Sequence, residues 1–298
     1  MPRLRTLVCV IALTALLIAG GWLLPSGPGL RLVHTEPSTF SPVLVTAEAG
    51  LRCMTFASLT EPGRQTCIQV DNPDRMVFAY TRMMMAGLLL NPEPRSVLMI
   101  GLGGATLPRA LAKLYPQATI DSIEIDPAVA RVAEHHFGYT QGPRQRLFIQ
   151  DGRHFVEQAA AAGQQYDLIL LDAFDADYIP PHLMTVEFFR ELRQLLTDDG
   201  VFVANAFTRS KHYDRESATF AATFGAFFNL RDNLEGNRVI ITAKNTLPGH
   251  DTLAQNAQAL AASLQPFGID LDQELARLVR IDTNTHKARP LTDHDHWK

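Results

Sequence analysis

The sequence predicts an α/β fold in which a doubly wound parallel sheet follows a small antiparallel β region. From residue 96 to residue 206, short apolar runs alternate with helical segments, the pattern of a parallel sheet covered on both faces. From residue 41 to residue 71, short β-type runs separated by turn signals predict an antiparallel sheet. An uncharged segment, residues 7–24, precedes both.

The N-terminal segment, residues 1–25, is predicted to be a signal anchor or a signal peptide. An anchor is favoured, because no small-x-small cleavage site precedes Pro25 and the apolar run approaches the ~20 residues that a membrane span requires. Arg3 and Arg5 lie before the run, and this charge bias predicts a single span with the body of the protein outside the cytoplasm.

Changes in composition divide the rest of the chain. Residues 26–40 are rich in Pro, Gly, Ser and Thr and are predicted to be a linker. Residues 41–74 are predicted to form a small β-hairpin domain, residues 75–245 the α/β domain, and residues 246–298 C-terminal helices and an irregular tail.

Two cysteines, Cys53 and Cys67, lie in strand-like runs joined by a Pro-Gly turn. In an exported domain they would form a disulfide across a hairpin. Alternatively they are two small buried residues that never meet. The second interpretation is favoured, because the pairing register cannot be read from the sequence.

The elements of the α/β domain follow in order. Residues 75–90 are apolar on most faces and predict a largely buried helix, and residues 230–243 predict an antiparallel hairpin at the sheet edge. Between them the predicted strands are residues 96–100, 118–125, 146–150, 166–171 and 201–206, and the predicted helices are residues 106–115, 127–137, 153–162, 183–196 and 215–227.

The charge pattern narrows the class of partner. The net charge is −4 and no run of basic residues occurs, which argues against nucleic acid. No metal site is predicted, because His135 and His136 are typical of a solvent-facing helix surface and the histidines near the C-terminus lack the spacing of a defined site.

Three successive strand ends offer groups that suit a nucleoside. Gly101 and Gly103 follow the first strand of the sheet, where glycines let backbone amides approach a ligand closely, although a tight turn alone also needs glycine. Glu124 ends the second strand 23 residues after Gly101, a position from which a carboxylate can bind two ribose hydroxyls. Asp151, before Gly152, would accept a hydrogen bond from an adenine amino group or, alternatively, cap the following helix.

The fourth strand, residues 166–171, ends in a cluster of carboxylates. Asp172 and Asp175 lie beside the predicted nucleoside pocket and suit a small cationic amine, whereas Asp177 is interpreted as solvated loop charge. Asp172 could also cap the turn that follows the strand. The carboxyl edge of an open α/β sheet is where such folds bind ligands.

The motifs GLGGAT, IEID, QDGR and LLDAFD resemble, in order and spacing, the spermidine synthase (polyamine aminopropyltransferase) family. The stretch DAFDADYIPPHLMTVEFF is similar to a bacterial branch of that family, some members of which carry membrane segments. With the predicted N-terminal span, the expected location is the bacterial inner membrane. The resemblance implies a Rossmann-like, methyltransferase-type domain preceded by a β-hairpin domain. It also implies a homodimer, decarboxylated S-adenosylmethionine as co-substrate without a metal, and transfer of its aminopropyl group to putrescine.

The resemblance also implies roles for individual residues. Asp172 would deprotonate the attacking amine, and Tyr80 and Asp175 would bind that amine. The residues implied in cofactor binding are Gln65, Gly101, Gly103, Glu124, Asp151 and Gly152.

The sequence departs from the family pattern at three places. Gly104 stands where the family has an acid, Thr81-Arg82 replaces a frequent His-Glu pair, and Ala173-Phe174 replaces Ser-Thr. Loss of the acid removes one means of rejecting intact S-adenosylmethionine by charge repulsion, and Arg82 would repel a diammonium substrate if it pointed inward.

Two alternatives therefore stay open. A methyltransferase using intact S-adenosylmethionine is favoured by Gly104. A non-catalytic module that binds a nucleoside or polyamine is favoured by the expected export, because an exported enzyme would be separated from the cytosolic cofactor.

Overall fold

In a computed structural model of the protein, the described residues form two β-sheets, the first from the N-terminal part of the chain and the second from the rest. One has four strands and the other eight. The residues that the structure describes are 29–56, 63–174, 179–232, 234, 236–283 and 288–295.

The small sheet is antiparallel, with its strands in sequence order. Its strands are β1 (Arg31–Glu36), β2 (Val43–Glu48), β3 (Leu51–Phe56) and β4 (Arg64–Gln69). The edge strand β1 lies inside the predicted linker. Its sequence, RLVHTE, is mostly exposed and lacks the apolar alternation by which a strand is recognised.

Cys53 on β3 and Cys67 on β4 are direct cross-strand partners and form a disulfide. The interpretation that these cysteines never meet is therefore wrong. Pairing in register puts two side chains on the same face of a hairpin within bonding reach, and that register depends on the whole sheet rather than on the local sequence.

The large sheet carries a parallel core with an antiparallel edge. Strands β5 to β9 pair in parallel in the order β7-β6-β5-β8-β9, and β11, β10 and β12 continue the sheet beyond β9 in antiparallel pairing. The strands are β5 (Ser96–Ile100), β6 (Thr119–Glu124), β7 (Gln145–Ile149), β8 (Tyr166–Leu171), β9 (Leu196–Phe207), β10 (Phe227–Arg231), β11 (Asn237–Ala243) and β12 (Val279–Ile281). The predicted α/β class is confirmed. The predicted antiparallel hairpin forms as β10 and β11, but β12, which pairs with β10, is the edge strand.

Helices cover both faces of this sheet. They are α1 (Ala79–Met84), α2 (Thr106–Leu114), α3 (Pro127–Phe137), α4 (Gly152–Ala161), α5 (Val186–Leu195), α6 (Tyr213–Phe224), α7 (His250–Leu264) and α8 (Leu271–Arg277). Short 3-10 turns occupy Met85–Leu89, Pro181–Leu183 and Gln265–Phe267.

Alternate residues of β5 show how the two layers form. Val97 and Met99 face a core built with α1, α2, α7 and α8, whereas Leu98 and Ile100 face a second core built with α4, α5 and α6. Burial on both faces explains why the parallel strands are continuously apolar.

The small sheet packs against the large domain through α3. Val45 and Met54 from the sheet share a buried cluster with Val129 and Val132 from the helix. Because α3 follows β6, this packing holds the small sheet beside the carboxyl ends of the parallel strands. It therefore determines which residues of β4 reach the cleft at that edge.

The prediction of a protein anchored in the inner membrane has to be corrected. Within the ranges given above, no helix is both long and apolar enough to cross a membrane. The longest of them, His250–Leu264, has 15 residues and carries polar side chains, whereas a span needs about 20 apolar ones. The predicted anchor itself, residues 1–25, lies outside the described residues.

Candidate active site

The glycine turn after β5 forms the floor of a cleft at the carboxyl edge of the sheet. Gly101 has a φ of +91° and Gly103 a φ of +51°, conformations that favour glycine. The Gly101 amide donates to the Ile123 carbonyl at 2.9 Å, and the Asp172 amide donates to the Ile100 carbonyl at 2.9 Å. These bonds attach the turn to both neighbouring strands, so that their ends open into one space.

Glu124, the last residue of β6, is 9% exposed and binds the backbone of the glycine turn. Its Oε2 accepts a hydrogen bond from the Leu102 amide at 3.0 Å, and its Oε1 accepts one from the Asp126 amide at 3.0 Å. Burial raises the pKa of Glu124, although these backbone donors act in the opposite direction. The carboxylate is thus oriented by the backbone and borders the cleft.

Asp151 caps helix α4, one of the two roles considered from sequence, and it also lies in the wall of the cleft. Its Oδ1 accepts from the amides of Arg153 at 2.9 Å and His154 at 3.1 Å, which caps helix α4. Its Oδ2 is 2.8 Å from Nε2 of His182, a residue on the 3-10 turn Pro181–Leu183. Burial pushes the pKa of Asp151 up, but the hydrogen bonds from His154 and His182 outweigh it and hold that pKa below its usual value.

Asp172 lies directly after β8 and accepts hydrogen bonds from two side chains. Nδ2 of Asn205 donates to its Oδ1 at 2.9 Å, and the Tyr80 side chain provides the second bond. Burial raises the pKa of Asp172 to about 6, and the two donors moderate that rise. Asp172 is therefore a base whose pKa lies near neutral pH, and it lies inside a cleft.

The predicted residues come together in this one cleft. Its walls include eight of them: Gln65, Tyr80, Gly101, Gly103, Glu124, Asp151, Gly152 and Asp172. Asp175 lies outside the described residues. A shared cleft is the arrangement that a single ligand spanning these strand ends requires.

The structure settles the direction of Arg82. Its Nη1 donates to the carbonyls of Met76 at 2.9 Å and Val77 at 3.1 Å. The guanidinium is thereby bound to its own segment of chain, and Arg82 is not among the described residues that line the cleft. The repulsion that sequence alone raised against a diammonium substrate does not arise from this conformation.

Thr66 on β4 fills the space beside Gly104. A Cβ placed on Gly104 would collide with Cγ2 of Thr66, lie 2.8 Å from its Oγ1, and lie 3.1 Å from Phe137. Oγ1 of Thr66 is also 3.3 Å from Oγ1 of Thr106. Two neutral hydroxyl groups thus lie where the family pattern has an acid.

Three residues at the site received no role from the sequence. Phe174 and His182 lie in the quoted motifs and line the cleft, whereas Asn205 contacts Asp172. Asn205 interrupts the apolar run of β9, and that interruption is a usable signal. Thr66 lies in another sheet, so only the packing of β4 against the large domain reveals its role.

No group of three or more His, Cys, Asp or Glu side chains that could hold a metal ion occurs within the described part of the chain. His136, on α3, instead stacks its ring on that of His34 from β1 at 4.8 Å between centroids.

The chain is similar in sequence to known proteins. The sequence model of the spermine/spermidine synthase domain matches residues 77–256. The chain is 43% identical over 264 residues to a polyamine aminopropyltransferase of Vibrio vulnificus, covering 88% of each chain. It is 31% identical over 206 residues to the human eEF1A lysine and N-terminal methyltransferase, covering 63% of this chain and 30% of the human protein.

Solved structures agree on the fold. A probable spermidine synthase from Corynebacterium glutamicum superposes with a TM-score of 0.69 at 20% identity, covering 89% of this chain and 98% of the other. Human methyltransferase-like protein 13, solved in complex with SAH, superposes with a TM-score of 0.59 at 29% identity, covering 63% and 93%.

The non-catalytic alternative depended on the expected export through an inner-membrane anchor. The described residues contain no helix that could cross a membrane. The matches to the spermine/spermidine synthase domain and to the Vibrio aminopropyltransferase support an enzyme instead.

Proposed function

The chain belongs to the spermine/spermidine synthase family, and on that premise we propose that it moves the aminopropyl group of decarboxylated S-adenosylmethionine onto a small amine such as putrescine. The class of reaction, that of a polyamine aminopropyltransferase, follows from the family and from 43% identity to such an enzyme. The observation that carries the proposal is the position of Asp172, a base at the end of β8 in the same cleft as the glycine turn and Glu124.

Asp172 would activate the acceptor. An alkyl ammonium has an ordinary pKa near ~10.4, so almost none of it is nucleophilic at neutral pH. A partly buried carboxylate attracts the cation and receives its proton as attack begins. Because the pKa of Asp172 is raised to about 6, it differs less from the pKa of the alkyl ammonium than the pKa of an ordinary aspartate does. Proton transfer from the ammonium to Asp172 is therefore less unfavourable.

The transfer balances without a further reactant. The amine nitrogen forms a bond to the aminopropyl carbon next to the sulfonium, and the carbon–sulfur bond breaks with its electron pair passing to sulfur. Methylthioadenosine leaves as a neutral thioether, and the displaced ammonium proton passes to Asp172. Holding the two reactants in line would supply most of the rate.

The remaining walls suit the nucleoside. Glu124 would bind the ribose hydroxyls, the turn carrying Gly101 and Gly103 would admit the sulfonium chain, and Asp151-Gly152 would border the adenine. Gln65 would contact the aminopropyl end beside Thr66. The small amine would lie between Tyr80 and Asp172, with Asp175 nearby, and no metal is assigned to the reaction.

Putrescine as the acceptor is supported by two features. Arg82 is bound away from the cleft, which removes the cation most able to repel a diammonium. Asp172 and Tyr80 share a hydrogen bond at the amine side, so that an ammonium placed there meets an anion and an aromatic ring.

The test is release of methylthioadenosine from decarboxylated S-adenosylmethionine and putrescine by the full chain. We expect turnover by the wild type, a loss of more than about 100-fold in Asp172→Asn, where the base is gone, and retention in Asp199→Asn. Asp199 is an exposed aspartate at the opposite edge of the sheet and serves as the matched control. Equal rates in Asp172→Asn and wild type would contradict the role of Asp172.

A second candidate, methyl transfer from intact S-adenosylmethionine, is favoured by the contact between Thr66 and Gly104. With no acid at Gly104, a carboxylate on the cofactor would meet hydroxyl groups instead of a like charge. The 31% identity to a human methyltransferase points the same way. Calorimetry with both sulfonium nucleosides separates the candidates, because tight binding of the intact form and release of S-adenosylhomocysteine would displace the aminopropyl proposal.

A further inference from the structure

A line of three hydrogen-bonded side chains runs across the sheet from the candidate base. Asp172 follows β8, Asn205 lies on β9, and Asn237 lies on β11. Nδ2 of Asn205 donates to Oδ1 of Asp172 at 2.9 Å, and Nδ2 of Asn237 donates to Oδ1 of Asn205 at 3.1 Å. Both asparagines are buried, with 2% and 9% of their surface exposed.

The line has one internally consistent direction. A primary amide presents a donor on one side and an acceptor on the other. Because Asn237 donates to the oxygen of Asn205, the nitrogen of Asn205 is the atom that faces the carboxylate. A flipped Asn205 would turn its oxygen toward Asp172 and its nitrogen toward the nitrogen of Asn237, and would lose both bonds.

The backbone fixes the spacing of this line. In the antiparallel pairing of β9 with β11, Asn205 is opposite Val239, and Asn237 is the next residue of β11 on the same face. Diagonal neighbours of this kind lie within reach of each other's side chains. Asn237 has no place in the walls of the cleft among the described residues, so its contact with Asp172 runs through Asn205.

From this geometry we propose that Asn205, held in one orientation by Asn237, is a positioning residue that fixes the Asp172 carboxylate toward the acceptor amine. The proposal rests on the function proposed above and adds residues that no motif identified. A carboxylate has about four lone-pair sites, so the bonds from Asn205 and Tyr80 leave room for the incoming ammonium.

The same line also governs when Asp172 is ionised. Donors to a carboxylate favour its charged form, and an acceptor facing it would favour the protonated form. The other ionisable groups lining the cleft belong to the nucleoside side, with Glu124 below the glycine turn and Asp151 bound to His182. Within the described residues, Asn205 and Tyr80 are the side chains that donate hydrogen bonds to Asp172.

The sharpest test is Asn237→Asp, an isosteric change at a residue outside the cleft. An ionised aspartate at position 237 cannot donate to Asn205, so Asn205 turns its nitrogen toward the new carboxylate and its oxygen toward Asp172. We expect the pKa that governs the acidic limb of the pH profile of kcat/KM to rise by about one pH unit. The value of kcat/KM should then fall roughly fivefold at pH 6, and the loss should shrink toward pH 9. Asn205→Ala should move the limb in the same direction.

The matched control is Asn229→Asp on β10. It adds the same charge to the same sheet, but its Oδ1 already accepts from Nε of Arg238 at 2.9 Å, and an aspartate keeps that bond. The acidic limb of the pH profile of kcat/KM for Asn229→Asp should coincide with that of the wild type. A merely structural effect of Asn237→Asp would lower the rate equally at every pH and would overturn the proposal.

A measurement without turnover separates this proposal from the proposed function. Carboxyl carbon NMR on protein labelled at aspartate follows the titration of Asp172, assigned by its disappearance in Asp172→Asn. A titration near pH 6 that moves upward in Asn237→Asp supports the positioning role even if no sulfonium nucleoside is turned over. An unchanged Asp172 titration in both Asn237→Asp and Asn205→Ala rejects it, whether or not the enzyme is active.

Discussion

Gly101 lies directly against the main chain of Asp172, so that a methyl group on Gly101 would come within 2.7 Å of the Asp172 carbonyl carbon and would collide with its oxygen. We expect Gly101→Ala to lower the free energy of unfolding by roughly 2 kcal/mol or more, because backbone atoms must move and φ is +91°. It should also abolish turnover by displacing Asp172. Urea denaturation and methylthioadenosine release measure the two effects.

Gly103 is the matched control for this prediction. Its φ is also positive, +51°, but nothing lies within 4 Å of the position a Cβ would take. Gly103→Ala should therefore cost only the left-handed conformation, about 1 kcal/mol. If the two alanine variants are equally stable, the contact between the glycine turn and Asp172 is not what restricts Gly101.

Thr66 and Gly104 form a coupled pair that should govern discrimination between forms of the cofactor. Gly104→Asp alone should be poorly folded, because Thr66 occupies the space that its Cβ needs. Adding Thr66→Ala removes that side chain, and the double variant should recover about 1–2 kcal/mol relative to the sum of the single changes. Its acid should then weaken binding of intact S-adenosylmethionine more than binding of the decarboxylated form.

Calorimetry with the two nucleosides on wild type, Thr66→Ala and the double variant measures this selectivity. Thr66→Ala is the control, since it opens the same space without adding a charge. If the double variant folds and still binds both nucleosides in the wild-type ratio, the amino-acid end of the cofactor does not lie beside Gly104.

The Cys53–Cys67 disulfide should stabilise the small sheet. It closes a loop with a sequence separation of 14, for which the loss of chain entropy in the unfolded state gives about 3 kcal/mol. Adding a reductant should therefore lower the melting temperature of the wild type. A Cys53→Ser and Cys67→Ser double variant should melt at the lower temperature in both conditions, and a reductant-sensitive melt in that variant would exclude the disulfide as the cause.

Much of the fold could be read from the sequence because its signals are local. Continuous apolar strands such as 166–171, followed by helical periodicity, indicate a parallel sheet without further information. The edge strand β1 was not predicted, because RLVHTE is mostly exposed and has no alternation of apolar and polar residues. The cysteine pairing escaped for a different reason, because register is a property of the assembled sheet.

The residues of the candidate site could be predicted only where they belong to a recognisable sequence motif. Gly101 and Asp172 each follow a strand and Glu124 is the last residue of one, and the shared carboxyl edge of a parallel sheet brings them together. Asn237 lies on an antiparallel strand far along the chain, and its link to Asp172 depends on a diagonal contact across β9 and β11. No local pattern encodes such a contact.

The stability of the protein should depend on the ionisation of Asp172. In the folded state its pKa is about 6, above the ordinary value of 3.8, so the folded state binds that proton more tightly than the unfolded state. The resulting stabilisation is fully present below about pH 3.8 and is lost as the pH rises through 6. At pH 8 the wild type therefore bears the cost of an ionised carboxylate in a largely desolvated position.

Asp172→Asn removes that cost while keeping the shape of the side chain. We expect the variant to be more stable than the wild type by about 1–3 kcal/mol at pH 8, with a difference that declines toward zero at pH 4. Urea denaturation at pH 4, 6 and 8 measures it, and Asp199→Asn, in an exposed position, should show no such trend. A catalytically inactive Asp172→Asn whose stability difference does not change between pH 4 and pH 8 would mean that Asp172 has an ordinary pKa, and the account of its role as a base near neutrality would then be wrong.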